Sequence, residues 1–427
     1  MNFSKVTYIG IFSFLVQFAF SQERDLLFYQ TKAHENNPVL KENVSLQQIN
    51  ELQLELTQAQ IQRPKVFLTS DYLFAPFFFN NEQFISISTN PEENAYGYDV
   101  GLTNGGLYSA QLNAAVPLFK RSIVNAYGQQ IATQNQALQD NNSQLLHELD
   151  KLVTDQYIAI YQWQQQIVYQ HGIINKLDER KAIIGALVQK GLLQQNEYLL
   201  LEIEVKKRQY DTQQLEISLS EAFNQLNSTC GIRDTTKFQL PIPVIQQSPP
   251  VKQYFYLRKY EIDSAAISIQ EQVFNTKYKP QLDAYGNTGI NASDASRIPH
   301  NVGISAGLHL EIPLYDGGQK KTIVQQNRIL LENLNLYQTQ NSVFIQNSLA
   351  STQEQIDLTQ KSIAMIDSQL SSQELLLGII KDKVVTGQIS VTDFLLAIQE
   401  YSTSNQNRIQ AQTNLWLLIN QYNGYNW

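Results

Sequence analysis

From Ile304 to Ile312 every second residue is apolar. Ile304, Ala306, Leu308, Leu310 and Ile312 share one parity, and Ser305, Gly307, His309 and Glu311 hold the other. A period of two sends alternate side chains to opposite faces, so the pattern predicts a strand with one apolar side and one polar side. This strand covers Val302–Ile312, and three more are expected at Val66–Phe74, Tyr108–Val116 and Gln281–Ile290. Strands near ten residues long fit a tilted membrane-spanning strand. Taken alone, they also fit a sandwich in a soluble protein. The first strand pair carries the longer loop: Pro64 to Pro117 spans 53 positions, and Pro280 to Pro313 spans 33. Insertions of that kind belong to the exposed end of a hairpin.

Beyond each strand pair the period changes from two to seven. Arg121–Lys190 is 70 residues without proline, and Gln319–Thr386 is 68. At 1.5 Å per residue each predicts a helix reaching roughly 100 Å. Leu349, Ile356, Ile363, Leu370, Leu377 and Val384 fall seven apart. The corresponding earlier row is Val153, Ile160, Ile167, Ile174, Lys181 and Val188, broken only by Lys181. A sustained seven-residue repeat predicts helices packed side by side as in a coiled coil. Gly191 and Gly387 end these helices, since glycine accepts the left-handed backbone of a helix C-terminus. Ser390 is placed to cap the next one. Return helices are expected over Asn196–Asn227 and Val391–Gln421. An irregular stretch, Cys230–Pro250, holds Pro241, Pro243, Pro249 and Pro250. Further helices are expected over Lys252–Thr276 and Ser45–Arg63.

The two rows share an offset of 196 positions, and so do several motifs. Pro117-Leu118-Phe119 matches Pro313-Leu314-Tyr315, and Gln129-Gln130 matches Gln325-Gln326. Gly191 matches Gly387, and Glu197-Tyr198-Leu199-Leu200 matches Asp393-Phe394-Leu395-Leu396. One register without a gap predicts two copies of one unit. The expected organisation is a leader at 1–21, a first repeat at 22–228, an irregular middle at 229–250 and a second repeat at 251–427.

Composition narrows the chemistry. The 427 residues are 16% charged with a balance of −8, and without residues 1–21, which hold Lys5, the balance is −9. A mildly acidic chain without basic clusters argues against nucleic acid as a partner. Cys230 is the single cysteine, so no internal disulfide or thiolate metal cluster can form. The five histidines (34, 147, 171, 300 and 309) form no helical pair. No nucleophile–base set and no metal spacing occurs, so neither catalytic residues nor a metal or other cofactor is expected. Lys5, the apolar run Tyr8–Phe20 and Ala19-Phe20-Ser21 read as a secretory signal cut before Gln22. Residues 22–427 contain no apolar run long enough for a spanning helix. Membrane entry would then require a closed β-barrel, because only helices and barrels satisfy every backbone group in lipid.

The two Pro-Leu-aromatic strand ends, the extension Pro313-Leu314-Tyr315-Asp316-Gly317-Gly318 and the turn Val385–Leu395 resemble the TolC-like outer-membrane efflux family. The resemblance covers essentially the whole chain after the leader. It implies a mixed α and β membrane protein. Three subunits of four strands each would form one trimeric β-barrel that continues into a long α-helical coiled-coil tunnel. It further implies a passive exit duct of a tripartite efflux or type I secretion system, lodged in outer-membrane lipid with its helices in the periplasm. The implied partners are a periplasmic adaptor and an inner-membrane pump of the RND or ABC type. By the same resemblance Asp393 lines the narrowest ring of the tunnel, with Leu396 one turn on where the family carries a second acid, and Glu197 as the first-copy partner of Asp393. Gly191 and Gly387 would form the adaptor-docking tips. Ile304, Ala306, Leu308, Leu310 and Ile312 would face lipid. Asp393 reads equally as a helix-start acid complementing the helix dipole. Lys381, Asp382 and Lys383 read as a solvated face. The competing reading is a secreted coiled-coil rod or adhesin without a pore, which needs no strand pairs.

Overall fold

A computed structural model describes residues 24–88, 90–98, 106–292 and 295–427. The expected leader lies outside the described residues. The chain divides into two compact units, each drawing on both halves of the sequence.

One unit holds residues 38–147, 249–351 and 425–427 and is built on a sheet. Helix α2 (Pro38–Gln62) leads into β1 (Lys65–Phe74), a short hairpin of β2 (Phe77–Asn80) and β3 (Gln83–Ser86), and then β4 (Gly106–Leu118). The second pair is β5 (Gln281–Ala292) and β6 (Val302–Glu311). The four long strands form one antiparallel sheet in the order β1-β4-β5-β6, and β2–β3 forms a separate two-stranded sheet. All four long strands lie within two residues of their expected bounds. The hairpin β2–β3 was not expected. Asn81 and Glu82 both take left-handed backbone (φ 52° and 63°), giving the two-residue turn that matches strand twist. Glycine usually supplies such angles, so Asn-Glu is a weak signal. Asn43 Nδ2 donates to Asn142 Oδ1 (2.7 Å) and Asn50 Nδ2 to Asn135 Oδ1 (2.8 Å). These pairs, seven residues apart on α2, fix its register against its neighbour.

The other unit holds the described residues up to 37, together with 148–248 and 352–424. Helix α1 (Leu26–Asn36) packs here with parts of α3 (Arg121–Gln189), α4 (Gln195–Thr229), α6 (Gln319–Val385) and α7 (Val391–Tyr425). Both bounds of α7 lie 196 positions after those of α4. The seven-residue rows lie inward. Val153, Ile160, Ile174, Ile356 and Val384 are buried, and the remaining members are half-buried. Lys181 keeps its place by donating to Asp178 Oδ1 (2.6 Å).

Two expectations are corrected. The first helix begins well before Ser45. Asp25 Oδ1 accepts from Phe28 N (2.8 Å) and caps α1, and Pro38 opens α2, where a missing N–H costs nothing. Ser45 is interior, its hydroxyl donating to Lys41 O (3.1 Å). The helix expected from Lys252 begins later, as a tight turn at Phe255–Leu257 followed by α5 (Arg258–Asn275). Phe255 N donates to Trp427 O (2.7 Å), which ties this turn to the C-terminal residue.

The irregular middle is held by side chains in place of a ladder. Gln164 Nε2 donates to Phe238 O (2.6 Å), Gln164 Oε1 accepts from Leu240 N (3.0 Å), and Tyr157 Oη donates to Pro241 O (2.8 Å). These satisfy backbone groups that a segment rich in proline cannot pair with itself. Cys230 is buried beside it, and burial pushes its thiol up to about 12. Among the described residues no helix is long and apolar enough to cross a membrane.

Candidate functional site

Two places gather the residues that the sequence singled out: the turns ending the long helices and the faces of the sheet. At the first turn Gly191 N donates to Val188 O and Leu192 N to Leu187 O, both at 2.9 Å. At the second, Gly387 N donates to Val384 O (3.1 Å) and Gln388 N to Lys383 O (2.9 Å). This paired pattern, with φ of 70° at Gly191 and 72° at Gly387, is the Schellman end of a helix. A Cβ at either glycine would meet nothing within 4 Å. Backbone angle, not space, therefore requires glycine, and the two tips stand exposed.

Just beyond, α7 opens with a reciprocal cap. Ser390 Oγ accepts from Asp393 N (3.1 Å) and donates to Asp393 Oδ2 (2.7 Å). The serine bond to the Asp393 N–H is that of a capping box, and the aspartate carboxylate accepts from the serine hydroxyl, not from the Ser390 N–H that the full box uses. Asp393 has exposed carboxyl surface beyond that bond, and Leu396, one turn on, is 58% exposed. Phe394, between them in sequence, is buried. The equivalent start of α4 has no side-chain cap from Gln194, and Glu197 there is half-buried. Lys381, Asp382 and Lys383 are all exposed.

A single apolar cluster ties both helical hairpins of this unit together. Ile173, Leu177 and Ile184 of α3 meet Leu201 and Val205 of α4, Ile380 and Val384 of α6, and Val391, Phe394 and Ile398 of α7. The tips are thereby held as one body. Just past this cluster sits Arg208, whose side chain is 7% exposed. Its Nε donates to Glu204 Oε1 (2.7 Å) and its Nη1 to Ser402 Oγ (2.7 Å), with Gln170 Oε1 at the longer 3.4 Å. One guanidinium thus links α4, α7 and α3. Burial beside it pushes the Tyr169 hydroxyl up. Sequence reading missed this link. The one available signal was a charged residue where the second copy places Ser404.

The register decides the faces of the sheet. Val66, Leu68, Ser70 and Tyr72 pair with Ala114, Leu112, Ala110 and Tyr108. Leu112, Ala114, Val116 and Leu118 pair with Thr288, Gly286, Ala284 and Leu282. Those four pair with Ile304, Ala306, Leu308 and Leu310. Directly paired residues lie on the same face, so one face is apolar across four strands apart from Ser70 and Thr288. Ile304, Leu308 and Leu310 are 87%, 67% and 59% exposed, and Ile312 follows the strand end at 51%. The opposite face is mainly polar, with Thr69, Asp71, Gln111, Asn113, Asp283, Asn287, Ser305, His309 and Glu311, and also carries Phe67, Leu73 and Tyr285. The strands β1 and β6 are the two edges and pair on one side only. Among the described residues no three His, Cys, Asp or Glu side chains gather as a metal site requires.

No protein-family model matches the chain, and no curated protein matches it. Solved structures do. The outer-membrane channel OprN is similar over 94% of this chain and 89% of its own, with a TM-score of 0.71 and 14% identity. CusC is similar over 95% and 92%, with a TM-score of 0.70 and 14% identity. The open-state MtrE outer-membrane channel of Neisseria gonorrhoeae covers 94% and 88%, with a TM-score of 0.67 and 14% identity. At such identities the likeness shows a shared fold, that of TolC-like outer-membrane channels.

Proposed function

We propose that this chain is the outer-membrane channel subunit of a tripartite efflux or type I secretion system, a passive exit duct and not an enzyme. The observation that carries this is the four-stranded sheet with one largely apolar face, one largely polar face and two unpaired edges. In water an exposed apolar face of that size is a liability, and in lipid an open edge is not tolerated. Three copies remove both costs. The strands alternate in direction, so β6 of one copy runs antiparallel to β1 of the next and the sheet closes into a barrel. Lipid covers the apolar face, and the polar face lines a wet lumen.

Exposed apolar side chains on α6 support the same assembly. Leu358, Met365 and Ile379 share a second seven-residue row and are 54%, 74% and 49% exposed. Such a row is covered when helices of neighbouring copies pack side by side. The chain is read as two repeats of one unit, consistent with the shared 196-residue spacing of α4 and α7. In the trimer Asp393 and Leu396 would ring the narrow end of the helical tunnel, with Glu197 nearby. The Gly191 and Gly387 tips would meet the periplasmic adaptor, which bridges to an RND or ABC pump in the inner membrane.

The test is fractionation and then recording. The protein should extract from the outer membrane only with detergent, migrate as a trimer and conduct in planar bilayers. Monomer in the soluble periplasm, or a trimer that never conducts, overturns the proposal.

A further inference from the structure

We propose that the β2–β3 hairpin is a membrane anchor that lies in the headgroup boundary of the outer leaflet beside the barrel. The proposal rests on the channel reading and adds a lipid contact to it.

The hairpin is a small folded module. Phe77 and Asn80 are 3% and 1% exposed. Asn80 Nδ2 donates to Ser86 Oγ (2.7 Å), and its Oδ1 accepts from Glu92 N (2.8 Å). Phe78 and Tyr96 exchange backbone hydrogen bonds of 2.8 and 3.0 Å. This local scaffold holds apolar side chains outward. Phe78, Phe79, Phe84, Ile85, Ile87 and Tyr96 are 38%, 60%, 65%, 49%, 52% and 72% exposed. The Phe84 ring lies 5.2 Å from Phe79 and 6.1 Å from Phe78.

Three observations select the occupant. Phe84 and Ile85 adjoin within β3, so they face opposite sides, yet both are exposed. A protein partner or a second copy covers one face of a hairpin, whereas an apolar medium covers both. Second, the module leaves the sheet next to Tyr72 and Tyr108, a ring pair 5.2 Å apart on the apolar face. It therefore continues the surface assigned to lipid, at strand ends away from α2 and α3. Barrels carry girdles of aromatic residues at that boundary; a tyrosine such as Tyr96 suits it because a polar hydroxyl tops an apolar ring, and the phenylalanines add apolar area. Third, Val66–Phe119 contains Asp71, Glu82, Glu92, Glu93 and Asp99 and no Lys, Arg or His. Attraction to phosphates is thus removed, and burial of apolar surface is the remaining driving force.

The test uses environment-sensitive labels on single cysteines in the full-length trimer, reconstituted in liposomes, in a Cys230→Ala background. Phe84→Cys and Ile85→Cys report the two faces of the hairpin, and Ile304→Cys reports the barrel. The expected result is blue-shifted emission and quenching by doxyl-labelled lipid at all three sites, unchanged between low and high salt. Iodide-accessible labels at 84 and 85 with a lipid-quenched label at 304 overturn the anchor and leave the channel standing. So does disulfide crosslinking of Phe84→Cys between subunits, which places the hairpins against one another over the pore. A label at 304 that lipid does not quench overturns the barrel reading itself, and the anchor with it.

Discussion

Arg208 offers the sharpest test of how the helical hairpins are held. Substitution by alanine removes the donor of two short bonds, to Glu204 Oε1 and Ser402 Oγ, each at 2.7 Å. The Glu204 side chain is only 19% exposed, so water replaces the guanidinium poorly. A lost bond to a charged partner costs about 2 kcal/mol and one to a hydroxyl about 1 kcal/mol. The total of about 3 kcal/mol sits at the lower end for a broken buried pair. At 1.4 kcal/mol per decade, local opening rises roughly a hundredfold. Native-state hydrogen exchange reads this directly, in amides of α4 around Arg208 and of α7 around Ser402. The double variant Arg208→Met/Glu204→Leu should recover most of the protection, because matched apolar groups replace a buried pair at little cost. If Arg208→Ala changes exchange by less than tenfold, or if the double variant is no better than the single, the link is not what holds these helices together.

The geometry sets four further outcomes. Asp393→Ala keeps the Ser390 bond to the backbone N–H and removes only the first-turn carboxylate, at a cost of about 0.3–1 kcal/mol; in the proposed pore, single-channel records will show weaker cation selectivity and less block by multivalent cations while closure persists. Gly387→Trp places a Cβ residue at φ 72° for roughly 1–2 kcal/mol, and should abolish transport while trimer and membrane insertion stay normal in a growth and crosslinking assay. Leu308→Arg on the apolar face should lower barrel stability by about 2–4 kcal/mol, and Ser305→Arg on the polar face should not, measured by denaturant titration in lipid. The Asp234 carboxyl is held at about 2 by Thr236 and then Arg24. Its folded value is depressed, so its contribution is whole above the ordinary carboxylate range and is lost as pH falls towards 2. Arg24, just before α1, donates to Asp234 Oδ2 (2.7 Å), so proteolysis at the start of α1 should accelerate only in that acid window, and Asp234→Asn should remove the dependence.

Much of this molecule is written in local periodicity. Alternation over Val302–Glu311, seven-residue rows through α3 and α6, and glycines at 191 and 387 each depend on neighbours close in sequence. Backbone geometry converts them directly into strand, helix and turn. Helix starts proved less legible: Ser45 looks like a cap but is interior, because Asp25 and Pro38 supply earlier starts. The turn that precedes α5 is tied at Phe255 to Trp427, a residue distant in sequence.

Tertiary structure alone decided the rest. That four strands share one apolar face depends on register, and a slip of one residue would send every side chain to the other side. No single strand states its register with its neighbours. The burial of Arg208 required knowing that Ser402 of a helix 194 positions away comes within 2.7 Å. The β2–β3 module arises where two left-handed residues without glycine make a turn, which composition does not announce. Sequence carries what is local and periodic, and contacts between distant segments exist only once the chain has closed on itself.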